Sequence, residues 1–234
     1  MNKRILVGIV LVLVGFGAWW GIINHKFSNS QIFNPQGSTK KELPYEKYSF
    51  ENLAKRGGVV SKIEIVGDKF YYYSEGRRIS GEINRPTGSD PVGVIVMARG
   101  YSEKDIYKTG IGTHNAAKYF SEHGYLTYAP DFSGYGESDP EDSNALGSRL
   151  SKPVEILDLL ASIQTDKPIF LWGHSNGGQI MLSVVEILGM TSLQGQALKV
   201  QGVTLWAPVS KPFPYNILYY TDDASDSGKW LRGQ

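Results

Sequence analysis

The residues with the clearest chemical content are Gly173-His174-Ser175-Asn176-Gly177, a G-x-S-x-G run. A serine hydroxyl serves as a nucleophile when a sharp turn lifts it clear of its neighbours and a base takes its proton. The pattern by itself is weak. The chain has 22 serines and 27 glycines, and chance supplies such a match in about one chain in three of this composition, so its place between strand and helix must carry the weight. The apolar run Ile169-Phe170-Leu171-Trp172 directly precedes it, and a helical pattern over 177–188 directly follows. Strand, turn and helix in that order would hold Ser175 at the C-terminal edge of a sheet. It would also stand at a helix N-terminus, where the dipole favours developing negative charge. Gly173 and Gly177 would let the backbone pass close to its neighbours. The competing structural reading is an ordinary glycine-rich turn in which Ser175 only caps the helix.

A serine nucleophile needs partners. Attack on a carbonyl places negative charge on an oxygen that two backbone N–H groups must receive. Asn176, next after the serine, offers one. The other is expected from the turn Arg99-Gly100-Tyr101, which follows the apolar stretch 92–98, and Tyr101 is the candidate. A third loop, Asp131-Phe132-Ser133-Gly134-Tyr135-Gly136-Glu137-Ser138, follows another apolar stretch; composition alone reads it equally well as a plain turn.

The base is the difficulty. The four histidines are His25, His114, His123 and His174, and none follows Ser175. His174 adjoins the serine and is expected to point away from it. His114 and His123 fall on a helix as surface or packing residues, and His25 flanks an apolar N-terminal run. Asp222, Asp223 and Asp226 read as a solvated acidic turn. No H-E-x-x-H or H-x-x-E-H spacing occurs, so metal-dependent hydrolysis has little support and no cofactor is expected.

The elements that must position these groups follow from periodicity. Residues 48–56 suggest a short helix stopped by Gly57-Gly58. Stretches 59–66, 69–74 and 77–84 read as an antiparallel meander. Stretch 92–98 is almost continuously apolar, as for a strand buried on both faces. Helix 112–123, strand 125–129, helix 153–164, strand 168–172, helix 177–188 and strand 200–207 then alternate. That order predicts an α/β fold with a mostly parallel sheet, antiparallel N-terminal strands and helices on both faces.

With these motifs in place, the run Met-Ala-Arg-Gly-Tyr-Ser, then Tyr-Ala-Pro-Asp-Phe-Ser-Gly-Tyr-Gly-Glu-Ser, then Leu-Trp-Gly-His-Ser-Asn-Gly-Gly resembles the successive strand-end motifs of the α/β-hydrolase superfamily. The likeness covers 59–210. Its antiparallel lead-in and His-Ser-Asn-Gly-Gly elbow are most similar to the prolyl-oligopeptidase and dipeptidyl-aminopeptidase-like branch and its esterase relatives. The resemblance implies acyl transfer to Ser175, with Asn176 and Tyr101 as oxyanion donors and a peptide or ester as substrate. It also implies two further strands carrying the acid and the histidine. The 27 residues after Ala207 are too few for them, so the sheet is expected to be incomplete at the C-terminus, the chain truncated and inactive by itself, and the fold marginal because of an open edge.

The N-terminus reads differently. Residues 5–23 form an uncharged, Val/Leu/Ile-rich run ending near Trp19-Trp20, behind the basic Lys3-Arg4. At 1.5 Å per residue such a helix matches a bilayer core. The expectation is a cytoplasmic tail (1–4), an uncleaved transmembrane anchor (5–23), a linker (24–44) and a partial hydrolase domain (45–234) outside the cytoplasm. A net charge of +1 with no basic patch argues against a nucleic-acid partner. The absence of cysteine excludes disulfides and thiol nucleophiles.

Overall fold

A computed structural model describes residues 45–88, 90–190 and 200–210. The anchor at 5–23, its flanking tail and linker, and the acidic stretch at 222–226 lie outside the described residues. Among the described residues no helix is long and apolar enough to cross a membrane.

The described chain contains four α-helices: α1 (Phe50–Arg56), α2 (His114–Glu122), α3 (Ala145–Ser162) and α4 (Asn176–Met190). The strands are β1 (Glu64–Val66), β2 (Lys69–Ser74), β3 (Arg77–Asn84), β4 (Gly93–Ala98), β5 (Tyr125–Pro130), β6 (Ile169–His174) and β7 (Val200–Trp206). They form one sheet in the order β1-β2-β3-β5-β4-β6-β7. The pairs from β1 to β5 are antiparallel, and β5-β4, β4-β6 and β6-β7 are parallel. This is the mixed sheet that the periodicity predicts. Every residue of β4 is buried, which explains its unbroken apolar run: helices cover both of its faces. The larger core joins α1, α3 and α4 to one face of the sheet. The smaller core packs Ala117 of α2 against Ile95, Met97, Ala129 and Trp172 on the other.

Two expectations need correction. Only Glu64–Val66 of the stretch 59–66 is a strand. Upstream, the backbone N–H groups donate to side chains of α3 instead of a neighbouring strand: Val59 N to Asp158 Oδ1 at 2.7 Å and Ser61 N to Ser162 Oγ at 2.9 Å. The helix expected at 153–164 begins at Ala145, with Pro153 inside it. Its start is set by Asn144, whose side chain accepts from the N–H groups of Leu146 and Gly147, satisfying donors that a helix leaves unpaired. A proline inside a helix forfeits one backbone hydrogen bond; here the packing of α3 outweighs that loss.

Helix α3 is buried nearly all round, with Val154, Ile156 and Leu159 wholly inaccessible, as befits a helix without a solvent face. Its charged residues are therefore paired. Arg56 donates twice to Asp158, at 2.8 Å each, and Ser74 Oγ donates to the same carboxylate at 2.6 Å. This contact ties α1 and β2 to the centre of the fold.

One feature of the register matters for the chemistry. Parallel pairing sets Ala98 of β4 opposite Gly173 of β6, and His174 opposite Trp206 of β7. The turns after β4, β6 and β7 thus emerge side by side at one sheet edge. Among the described residues β7 is the outermost strand on that side, with Val203 and Trp206 exposed.

Candidate active site

Ser175 sits between β6 and α4 with φ of 53°. The left-handed region is costly for a residue with a side chain and persists only where the surroundings enforce it. The enforcement is visible. Ser175 N donates to Trp206 O at 3.0 Å, and Ser175 O accepts from Gly178 N and Val209 N, each at 3.0 Å. The flanking glycines are required by space. A Cβ on Gly177 would lie 2.0 Å from Ala98 O and 2.5 Å from Arg99 O, and one on Gly173 would lie 2.6 Å from Gly177 O. Removing those side chains lets the first turn of α4 press directly on the end of β4.

The turn after β4 touches this elbow. A Cβ on Gly100 would lie 3.2 Å from Ser175 Cβ and 3.3 Å from His174 Nδ1. Tyr101 follows, with its ring exposed, so its contribution to an oxyanion would come from the backbone. Asn176 opens α4, and its side-chain Oδ1 accepts from Arg149 Nη1 at 3.1 Å. Ser175, Asn176, Gly100 and Tyr101 are thus brought to one place. Beside them a cleft of about 440 Å³ is lined by Arg99, Tyr101, Tyr135, Arg149, Asn176 and Gln179, among others. Its walls are mostly polar and charged, unlike the apolar lining usual for small-molecule pockets.

The histidines lie elsewhere in the network. His174 packs against Trp206, ring centroids 4.7 Å apart and planes tilted by 36°. His114 Nδ1 is 2.6 Å from Glu82 Oε1, and His123 Nδ1 is 2.7 Å from Tyr119 O. Among the described residues no hydrogen bond reaches the Ser175 hydroxyl.

The loop 131–138, ambiguous in sequence, is woven into the same edge. Asp131 is fully buried; its carboxylate accepts from Ser80 Oγ (2.5 Å), Tyr107 Oη (2.7 Å) and Thr109 Oγ1 (2.9 Å). Burial and the Asp131 charge together push the Tyr107 phenol well above its ordinary pKa. On the cleft wall, burial raises the Glu141 pKa, but hydrogen bonds from Lys104 and Ser148 and the charge of Lys152 outweigh it, leaving the carboxyl below its usual 4.5. Arg149 and Trp206 carried no signal in sequence, because only the packing of α3 and the register of β7 bring them to Ser175.

The family model for serine aminopeptidase S33 matches residues 89–231, more than half of the chain. The chain belongs to the serine aminopeptidase S33 family. The mixed sheet of this S33 member is that of the α/β-hydrolase fold. No curated protein matches it. Among solved structures, it is similar to acetyl xylan esterase 1 from a Thermoanaerobacterium species, at 17% identity and TM-score 0.50 over 80% of this chain and 67% of that one. It is also similar to an alpha-beta serine hydrolase homologue from Coxiella burnetii, at 18% identity and TM-score 0.46, covering 66% of this chain and 68% of that one. A third likeness is to the alpha/beta hydrolase GrgF from a Penicillium species, at 21% identity and TM-score 0.45, covering 71% of this chain and 55% of that one. The chain thus spans about two thirds of the first two proteins and about half of the third. At 17% identity the esterase likeness concerns the fold.

Proposed function

We propose that this S33 member is a serine hydrolase, peptidase or esterase, that works by acyl transfer to Ser175. The observation that carries the reading is the strained φ of Ser175, at the tip of a turn that three backbone hydrogen bonds and flanking glycines enforce. Strain of this kind is kept where function needs it. In the reaction, Ser175 Oγ attacks the acyl carbon, and the resulting oxyanion accepts from the N–H groups of Asn176 and Tyr101. The leaving group departs, and water then releases the acyl group from the serine. A base takes the Ser175 proton as the new bond forms and hands it to the leaving group as that departs. The antiparallel lead-in and the His-Ser-Asn-Gly-Gly elbow favour the branch of prolyl-oligopeptidase and dipeptidyl-aminopeptidase-like enzymes. Residues 5–23 would anchor the chain in a membrane, with the domain beginning near residue 45 and facing away from the cytoplasm; retention in carbonate-washed membranes tests the anchor, and release into the supernatant would refute it.

A second reading is a non-catalytic, membrane-tethered binding module on the same fold. It is favoured by the engagement of His114, His123 and His174 with other partners. A fluorophosphonate probe separates the two. Labelling of the folded full-length protein that disappears in Ser175→Ala supports the hydrolase; a folded full-length wild type that remains unlabelled supports the binding module.

A further inference from the structure

The turn that carries Tyr101 is pinned on both sides. Arg99 Nη1 donates to Gly100 O at 2.9 Å, and Tyr135 Oη donates to Ser102 O at 3.2 Å. The peptide between Gly100 and Tyr101 is held through its carbonyl, and in a trans peptide the N–H points the opposite way. Holding Gly100 O therefore aims the Tyr101 N–H away from the guanidinium. The guanidinium is itself fixed. Its Nη2 donates to Asp131 O at 3.1 Å, and its Cζ lies 4.0 Å from the ring centroid of Tyr135 and 4.5 Å from that of Tyr107. Tyr107 in turn donates to the buried Asp131 carboxylate. Arg99 is buried, and among the described residues no carboxylate lies within ion-pair distance of it. A buried positive charge that spends both terminal nitrogens on backbone carbonyls is an unusual arrangement.

We propose that Arg99 is the positioning residue of the oxyanion pocket, an inference that rests on the reading of Ser175 and Tyr101 given above. Three effects act in the same direction. The fork fixes the 100–101 peptide relative to β5, which a single ammonium does not do. Donation to Gly100 O polarises that peptide and strengthens its N–H as a donor. The positive charge behind the peptide stabilises the negative charge that forms in front of it. The loop 131–138 then has a role: Asp131 O and the Tyr135 ring cradle the guanidinium, the Tyr135 hydroxyl holds Ser102 O, and the positive φ of Phe132, 71°, turns the chain between them.

The test uses the full-length protein with Arg99→Lys, which keeps the charge and removes the fork, and Arg99→Gln in its place should the lysine variant not fold. Two readouts are taken. The NMR order parameter of the Tyr101 N–H is expected to drop from the rigid range near about 0.85 to below about 0.6. The fluorophosphonate kinact at Ser175 is expected to fall at least about tenfold with KI within about twofold, since a donor aimed at the transition state alters the step and not the encounter. An unchanged order parameter, or a mobile Tyr101 with unchanged kinact, would overturn the proposal. A wild type that is folded and unlabelled would refute the hydrolase reading instead, and loosening of Tyr101 in the same variant would still support Arg99 as the group that holds the turn.

Discussion

Ser175 illustrates how much a single residue's backbone can report. A serine at φ 53° exists because Trp206 O, Gly178 N and Val209 N satisfy its backbone from three directions. The neighbouring glycines make that possible, and Gly177 is the tightest. Gly177→Ala would force a methyl to within 2.0 Å of Ala98 O, where neither backbone has freedom to retreat. We expect it to cost about 3 kcal/mol and to displace the turn; urea unfolding measures the loss, and a change below about 0.5 kcal/mol would show that the two turns are not in firm contact. At Gly100, by contrast, an added Cβ would lie 3.2 Å from Ser175 Cβ, a contact that a small shift relieves, so Gly100→Ala is expected to disturb the serine more than the fold.

Helix α3 shows what an element needs when it runs through the middle of a domain. Its start depends on Asn144, whose side-chain Oδ1 accepts from two N–H groups; Asn144→Ala is expected to cost about 1 kcal/mol in chemical denaturation. Its buried Asp158 is satisfied by Arg56, Ser74 and the Val59 N–H. A buried ion pair is weak evidence of net stabilisation, but removing one partner is costly because it strands the rest. Asp158→Ala is therefore expected to lose about 3 kcal/mol and to free 50–61 from α3, seen as faster amide exchange confined to those residues. Uniform exchange across the whole chain would instead mean that α1 and the sheet unfold as one unit.

At the scale of the molecule, acid response follows from the carboxylates. The folded Glu141 has a pKa below its ordinary value of 4.5. The unfolded chain therefore takes up the proton first as pH falls, and the stabilisation is complete above about 4.5 and is lost below it as the folded carboxyl protonates. Thermal midpoints at pH 7 and pH 3 should show wild type more stable than Glu141→Gln at the higher value, with a smaller gap at the lower; a pH-independent gap would refute this. The sheet explains the limits of reading such a molecule from its sequence. Strands β2 and β3 and the buried β4 were legible from alternation and from an unbroken apolar run, because burial on one face or two writes a period into the chain. The elbow was legible because glycine is needed where backbones touch, and those contacts are local. The early start of α3 was not, because Pro153 ends most helices and only packing keeps this one. Nor were Arg149, Trp206 or the grip of Arg99 on Gly100, since these depend on which strand lies beside which. Local order and the identity of the Ser175 turn were thus determined by the residues alone. The convergence of the turns after β4, β5, β6 and β7 at one edge was decided by the parallel register, which only long-range packing sets.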